Sequence, residues 1–141
     1  MANTRGLLVC NLGTPASTDV KDVRAFLREF LSDPRVLDMN PVGRWMLLNL
    51  IILPFRPKKS AEAYSKIWTD EGSPILVHSR EFESKLSAHL GDDWVVRLGM
   101  RYGDPSMETA LRELVEAGVE EVVFLPLYPQ YALSSTETSI E

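Results

Sequence analysis

The sequence predicts an α/β fold, a parallel sheet with helices packed on it, and three observations carry that expectation. Three short apolar runs, "GLLVCNL" at residues 6–12, "WVVRLG" at 94–99 and "EVVFLPL" at 121–127, are continuous instead of alternating. Strands have that composition when helices cover both faces of their sheet. Segments with apolar residues at helical spacing separate the runs. Strand and helix patterns thus follow one another, which favours right-handed crossovers in a Rossmann-like, three-layer lobe.

The elements follow in order. Cys10 lies inside the first apolar run and is expected to be a buried thiol. It is the only cysteine, which excludes an intrachain disulfide and any multi-cysteine metal site. Val20, Val23, Leu27, Phe30 and Leu31 then recur at helical spacing, with Ser17 or Thr18 as N-cap and Asp33-Pro34 as the stop. Ser73-Pro74 reads as a cap followed by an N1 proline, opening a helix that runs to about Leu90. Asp104-Pro105 repeats the device before the next helix, which Gly118 closes as a C′ residue. Pro126 marks the end of the third strand, because a central strand cannot spare that N–H. The chain closes on "LYPQYALSSTETSIE", where Ser134 with Glu137 and Thr138 with Glu141 each have capping-box spacing.

The stretch 40–59, "NPVGRWMLLNLIILPFRPKK", breaks this rhythm. Its apolar part starts at Trp45, ends at Phe55 and is followed by Arg56, Lys58 and Lys59. At about half the ~20 residues needed to span a bilayer, it is no transmembrane helix. On the residues alone, both a buried core helix and an exposed lip resting on lipid head groups stay open.

Composition narrows the function. The 141 residues, 45% apolar and 25% charged, suit one compact domain over 1–141. A net charge of −5 with no basic stripe argues against nucleic acid as a partner. No secretory or transit segment is visible, so a cytoplasmic protein is expected.

Ligands of open α/β sheets bind beyond the carboxyl ends of the strands. The three loops there are "NLGTP" from Asn11, "MRYGDP" from Met100 and "YPQYALSS" from Tyr128. Together they offer aromatic faces, a guanidinium, an amide and hydroxyls, an inventory suited to a flat, partly apolar ligand with acidic edges. They contain no G-x-G-x-x-G, Walker lysine loop or G-x-S-x-G elbow. His78 and His89, eleven apart on one helix, are expected to be surface or partly packed side chains. The residues alone therefore give a binding half-site without an identifiable general base or metal ligand.

The segments "LVCNLGTP", "FLREFLSDPRV", "AYSKIWTDEGSPI", "MRYGDPS" and "LPLYPQYALSSTETS" stand in the order and spacing of a known family. Across essentially its whole length the chain resembles the bacterial ferrochelatases. The resemblance implies two similar Rossmann-like lobes flanking a porphyrin cleft, of which this chain is the N-terminal one. It implies insertion of Fe(II) into a strained protoporphyrin IX to give protohaem, with two protons released and Fe(II) as substrate, not cofactor. Residues 41–59 become a lip over the cleft, and the apolar part between Trp45 and Phe55 a peripheral contact with the inner membrane.

Matched positions imply substrate contacts at Arg56, Tyr64, Ser73, Arg101, Tyr102, Tyr128, Gln130, Tyr131, Ser134 and Ser135. Arg56 is expected to pair with a propionate. Leu12 replaces a tyrosine that ligates the metal in some members, so no ligand is expected there. The family's catalytic histidine and its glutamate partner belong to the second lobe, so none is expected in 1–141 and the chain alone is expected to be inactive. Two other readings are a non-catalytic porphyrin- or haem-binding module and a small homodimeric chelatase. The latter kind places histidine at the end of the first strand, where Asn11-Leu12-Gly13 stand here.

Overall fold

A computed structural model describes residues 4–141. In chain order its elements are β1 (Arg5–Gly13), α1 (Val20–Leu31), α2 (Pro41–Met46), a π-helical turn (Leu47–Ile52), α3 (Leu53–Ile67), α4 (Pro74–Leu90), β2 (Trp94–Tyr102), α5 (Met107–Glu116), β3 (Glu121–Pro126), a second π-helical turn (Leu133–Glu137) and α6 (Thr138–Ile140). The three strands are parallel in the order β2-β1-β3, so the α/β fold expected from the apolar runs is the one observed. Leu7 faces Val96 and Val123 across the ladder, and Cys10 faces Gly99 and Pro126.

The pleat sorts β1 into two cores. Leu7 and Val9 join Val96, Leu98 and Met100 under Leu76, Leu86 and Leu90 of α4. Leu8 points the other way, to Ala110 and Leu114 of α5. A third cluster packs Val23 and Leu27 of α1 on Leu48, Leu53 and Ala61. Cys10 is fully buried beside the Met107 sulfur, as expected for a core thiol, and that burial raises its pKa. The outer edge of β2 is partly occupied by the chain itself, since the Glu83 carboxylate accepts from the Leu98 N–H at 2.9 Å. Val122 and Val123 on β3 stay exposed.

Several local expectations are corrected. The strand predicted over 94–99 runs on to Tyr102, because Gly13 still pairs with Tyr102. Arg101 and Tyr102 therefore stand on a strand and not in a loop. Asp19, not Ser17 or Thr18, occupies the N-cap of α1, while the Ser17 hydroxyl donates to Asp22 at 2.6 Å. Helix α5 begins two residues later than the Asp104-Pro105 signal implies. The Pro105 carbonyl accepts from Met100 N–H, and Ser106 caps by accepting from Thr109 N–H at 3.1 Å. Neither capping box forms at the C-terminal end: Ser134 is exposed inside the second π-helical turn, and Thr138 turns its hydroxyl inward. Gly118 does follow α5 at φ +77°, as a C′ glycine should.

Gly13 combines a φ of +121° with a crowded environment: a Cβ there would lie 1.8 Å from the Tyr102 carbonyl oxygen. Gly13→Ala should therefore cost roughly 3–5 kcal/mol or abolish folding. Gly91→Ala, at φ +77° and ψ −165° with nothing near its Cβ, should cost less, roughly 1–3 kcal/mol from backbone strain alone, in the same urea unfolding experiment.

Candidate functional site: a crevice at the carboxyl ends of the strands

Where β1 ends, the chain turns through Gly13 into Thr14 and Pro15, both buried. These residues line a cavity of about 380 Å³ together with Phe26 of α1, Trp68, Gly72-Ser73 at the start of α4, Leu76, and Gly103-Asp104 after β2. Segments far apart in sequence thus meet at one crevice. Its polar anchor is a buried hydrogen bond in which the Thr14 hydroxyl donates to Ser73 Oγ at 2.7 Å. Ser73 occupies the N-cap position of α4 but makes no capping bond with its side chain. Asn11 is held by its own contacts, its amide donating to Ser79 Oγ at 3.1 Å and its carbonyl accepting from Leu12 N–H at 2.8 Å.

Tyr64 is half-buried, edge-on to both Phe26 and Trp68, with ring centroids 6.5 and 6.4 Å away. Burial raises its phenol pKa. The two aromatic walls of the cavity are thereby braced by a third ring. The cavity rim is acidic, with Asp22, Glu29, Glu71 and Asp104 among its lining residues.

Beside the crevice lies a buried polar knot. Asp33, in the turn after α1, accepts through Oδ2 from Tyr102 Oη at 2.7 Å, from Arg101 Nη2 at 3.0 Å and from the Thr138 hydroxyl. Its Oδ1 accepts from Arg35 N–H at 2.8 Å. Burial opposes ionisation of Asp33, but the hydrogen bonds from Thr138, Tyr102 and Arg35 and the Arg101 charge outweigh it and lower the pKa. Burial, reinforced by Asp33, raises that of Tyr102, which is 1% exposed. Arg101 also donates from Nε to the Thr138 carbonyl at 2.7 Å and lies over the Tyr102 ring.

The loop after β3 is more open. Tyr128 is half-buried, 3.2 Å from Ser139 Oγ, and burial pushes its phenol up to about 12. Gln130, Tyr131 and Ser134 are exposed and Ser135 is partly so. Tyr131 donates to Glu137 at 2.5 Å. The structure thus brings Ser73 to the cavity, sets Tyr64 behind two of its aromatic walls, joins Arg101 to Tyr102 in another cluster, and spreads Gln130, Tyr131 and Ser134 over the surface.

Arg56 stands apart on α3, exposed, in a shallow groove with Ile51, Ile52, Phe55 and Lys59. The apolar stretch before it is split. Leu48 and Leu53 face the core, whereas Trp45 and Phe55 are 61% and 75% exposed, along with Val42, Met46, Leu50 and Ile51. The stretch is thus buried on one side and exposed on the other. No helix among the described residues is long and apolar enough to cross a membrane.

Among the described residues no group of three or more His, Cys, Asp or Glu is placed to hold a metal ion. His78 and His89 are both exposed on α4. Sequence reasoning missed Asp33, Thr138, Phe26 and Trp68. Asp33-Pro34 reads in sequence only as a helix stop, and nothing in a linear pattern announces that its carboxylate turns inward.

The family model described as Ferrochelatase matches residues 4–141. The chain is 52% identical over 139 residues to a ferrochelatase of Coxiella burnetii (strain Dugway 5J108-111), covering 99% of this chain and 39% of that protein. It is 49% identical over 137 residues to a ferrochelatase of Legionella pneumophila (strain Paris), covering 97% and 41%. The chain thus spans about two fifths of the length of the curated relatives it matches. With a matched region of that extent, the chain belongs to the ferrochelatase family.

Proposed function

We propose that this chain forms one wall of the tetrapyrrole cleft of a ferrochelatase. The reaction joins Fe(II) to protoporphyrin IX as two pyrrole N–H protons leave, giving protohaem. The observation that carries the reading is the convergence of Thr14-Pro15, Phe26, Trp68, Gly72-Ser73 and Gly103-Asp104 on one cavity. Four of the segments that resemble the family meet there.

The chain's residues bind and orient, and the proton-accepting histidine with its glutamate comes from a second lobe. A cavity of about 380 Å³ is at the small end of ligand pockets, which run ~300–1,000 Å³, so this wall presents one side to a flat macrocycle and an opposing lobe closes the other. Charge sets the orientation. The carboxylates of Asp22, Glu29, Glu71 and Asp104 repel propionates and favour an approaching dication. Arg56, with Lys59 beside it, attracts a propionate through a charge-assisted hydrogen bond. Ser73 donates toward the ring edge, since its oxygen already accepts from Thr14. Tyr64 braces the aromatic walls, and the segment bearing Tyr128, Gln130, Tyr131, Ser134 and Ser135 borders the macrocycle. Arg101 and Tyr102 act from behind it. The apolar lip then takes up an insoluble porphyrin from a membrane surface on which it rests.

Soret-band titration of the 141-residue chain with protoporphyrin IX should show binding. Arg56→Ala should weaken it roughly tenfold, the loss expected for one exposed charge-assisted hydrogen bond. No spectral change at any porphyrin concentration would sink the cleft assignment. The chain alone should insert no Fe(II) in an anaerobic assay. Insertion at an enzyme-like rate would show that no second lobe is required.

The lip has its own test. The chain should float with vesicles containing anionic lipid, and Trp45→Ser with Phe55→Ser should cut partitioning by at least about tenfold, given ~1.5–3 kcal/mol per large apolar side chain transferred. Equal flotation of both proteins would remove the membrane role.

A further inference from the structure

The segment between β3 and α6 carries five of the residues proposed to border the porphyrin, yet most of its hydrogen bonds are internal. Tyr131 bonds Glu137, and the Ala132 carbonyl accepts from the Ser135 and Glu137 N–H groups, while at the segment's start Tyr128 reaches the Cys10 sulfur and Ser139 of α6. Bonds within a segment shape it but cannot orient it relative to the sheet. Among the described residues, the polar ties to the rest of the molecule sit at its two ends. At the start, Leu127 N–H donates to the Cys10 carbonyl at 2.8 Å, which extends the ladder by one residue beyond Pro126. At the far end Thr138 meets Asp33 and Arg101, and Glu141 meets Arg35.

Two of the three far-end ties come from one short turn, Asp33-Pro34-Arg35, and the third comes from Arg101 on β2, which donates directly to the Thr138 carbonyl and hydroxyl. Asp33 is the hub, because its buried carboxylate also takes the Tyr102 hydroxyl and the Arg101 guanidinium at the end of β2. Removing a tie at one end of such a loop returns conformational freedom to everything between its ends.

We propose that Asp33 is a positioning residue that, together with Arg101, fixes the cleft-bordering segment 128–137 by holding Thr138, and that Arg101 through its own bonds to Thr138 and Tyr102 through Asp33 serve the cleft instead of touching substrate. The proposal rests on the cleft reading above for its link to porphyrin, but not for the anchoring itself.

Asp33→Ala would leave a guanidinium and a phenol unpaired and confound folding with positioning. The informative change is Thr138→Val, which keeps the side-chain shape, deletes the hydroxyl and so its bonds with Asp33 and from Arg101 Nε and Nη2, and leaves both the Asp33–Arg101–Tyr102 contacts and the Arg101 bond to the Thr138 carbonyl in place. Hydrogen–deuterium exchange by mass spectrometry on the 141-residue chain should show exchange in 128–137 accelerated roughly tenfold, with β1–β3 peptides unchanged. Protoporphyrin affinity should fall about three- to tenfold, and Thr138→Ser should restore both readouts.

Unchanged exchange in 128–137, or equal acceleration throughout the sheet, overturns the anchoring role. Faster local exchange with unchanged porphyrin affinity overturns its bearing on the cleft. If the unaltered chain binds no porphyrin while Thr138→Val still loosens 128–137 alone, the cleft reading fails and the anchor stands.

Discussion

The double pairing of β1 is the constraint on which the other elements depend. A strand with parallel neighbours on both sides and a helix on each face exposes neither edge nor face to water, so its side chains must be apolar throughout. That requirement yields the unbroken run from Leu7 to Cys10 and places α4 and α5 on opposite faces. It also leaves the outgoing end of β1 as the point where the chain must escape. Gly13 is there because a Cβ would collide with the neighbouring strand's carbonyl. The crevice therefore sits at a position that the sheet dictates, and its polar anchor, Thr14 on Ser73, lies directly after the escape turn.

Apolar and polar forces divide the molecule between them. The sheet and the α1–α3 layer are held by aliphatic and aromatic contacts, whereas the segment after β3 is tied at its far end by hydrogen bonds to a buried carboxylate. A packed aliphatic core tolerates small shifts of many side chains, but a carboxylate with four donors fixes geometry at a point. That division suits a cleft in which rigid walls from the sheet face a bordering loop whose placement is set by a few directional bonds.

The strands and the helices α1, α4 and α5 were legible in sequence because each follows from periodicity or punctuation, whereas α3, inside and beyond the stretch that breaks the rhythm, was not. Continuous apolar runs gave the parallel sheet, and Ser73-Pro74 and Gly118 gave two helix ends. What stayed hidden depends on tertiary competition for hydrogen bonds. Ser73 and Thr138 both sit where a capping hydroxyl is expected, and both spend it elsewhere, on Thr14 and Asp33. A local pattern cannot rank a nearby backbone N–H against a side chain brought in from 60 or 100 residues away. The same blindness concealed Phe26 and Trp68, which join the cavity only through the packing of α1 against α3. The lip's split between buried Leu48 and exposed Phe55 likewise depends on which face α1 covers.

The Glu83 carboxylate on the Leu98 N–H has a consequence for growth of the sheet. A strand seeking to join beside β2 would have to displace an ionised acceptor from the backbone donor it needs, and would meet a negative charge there. Among the described residues no comparable side-chain guard is seen on β3, where Val122 and Val123 are partly exposed. The sheet is thus directional as a template, refusing recruits on one flank and open to extension on the other.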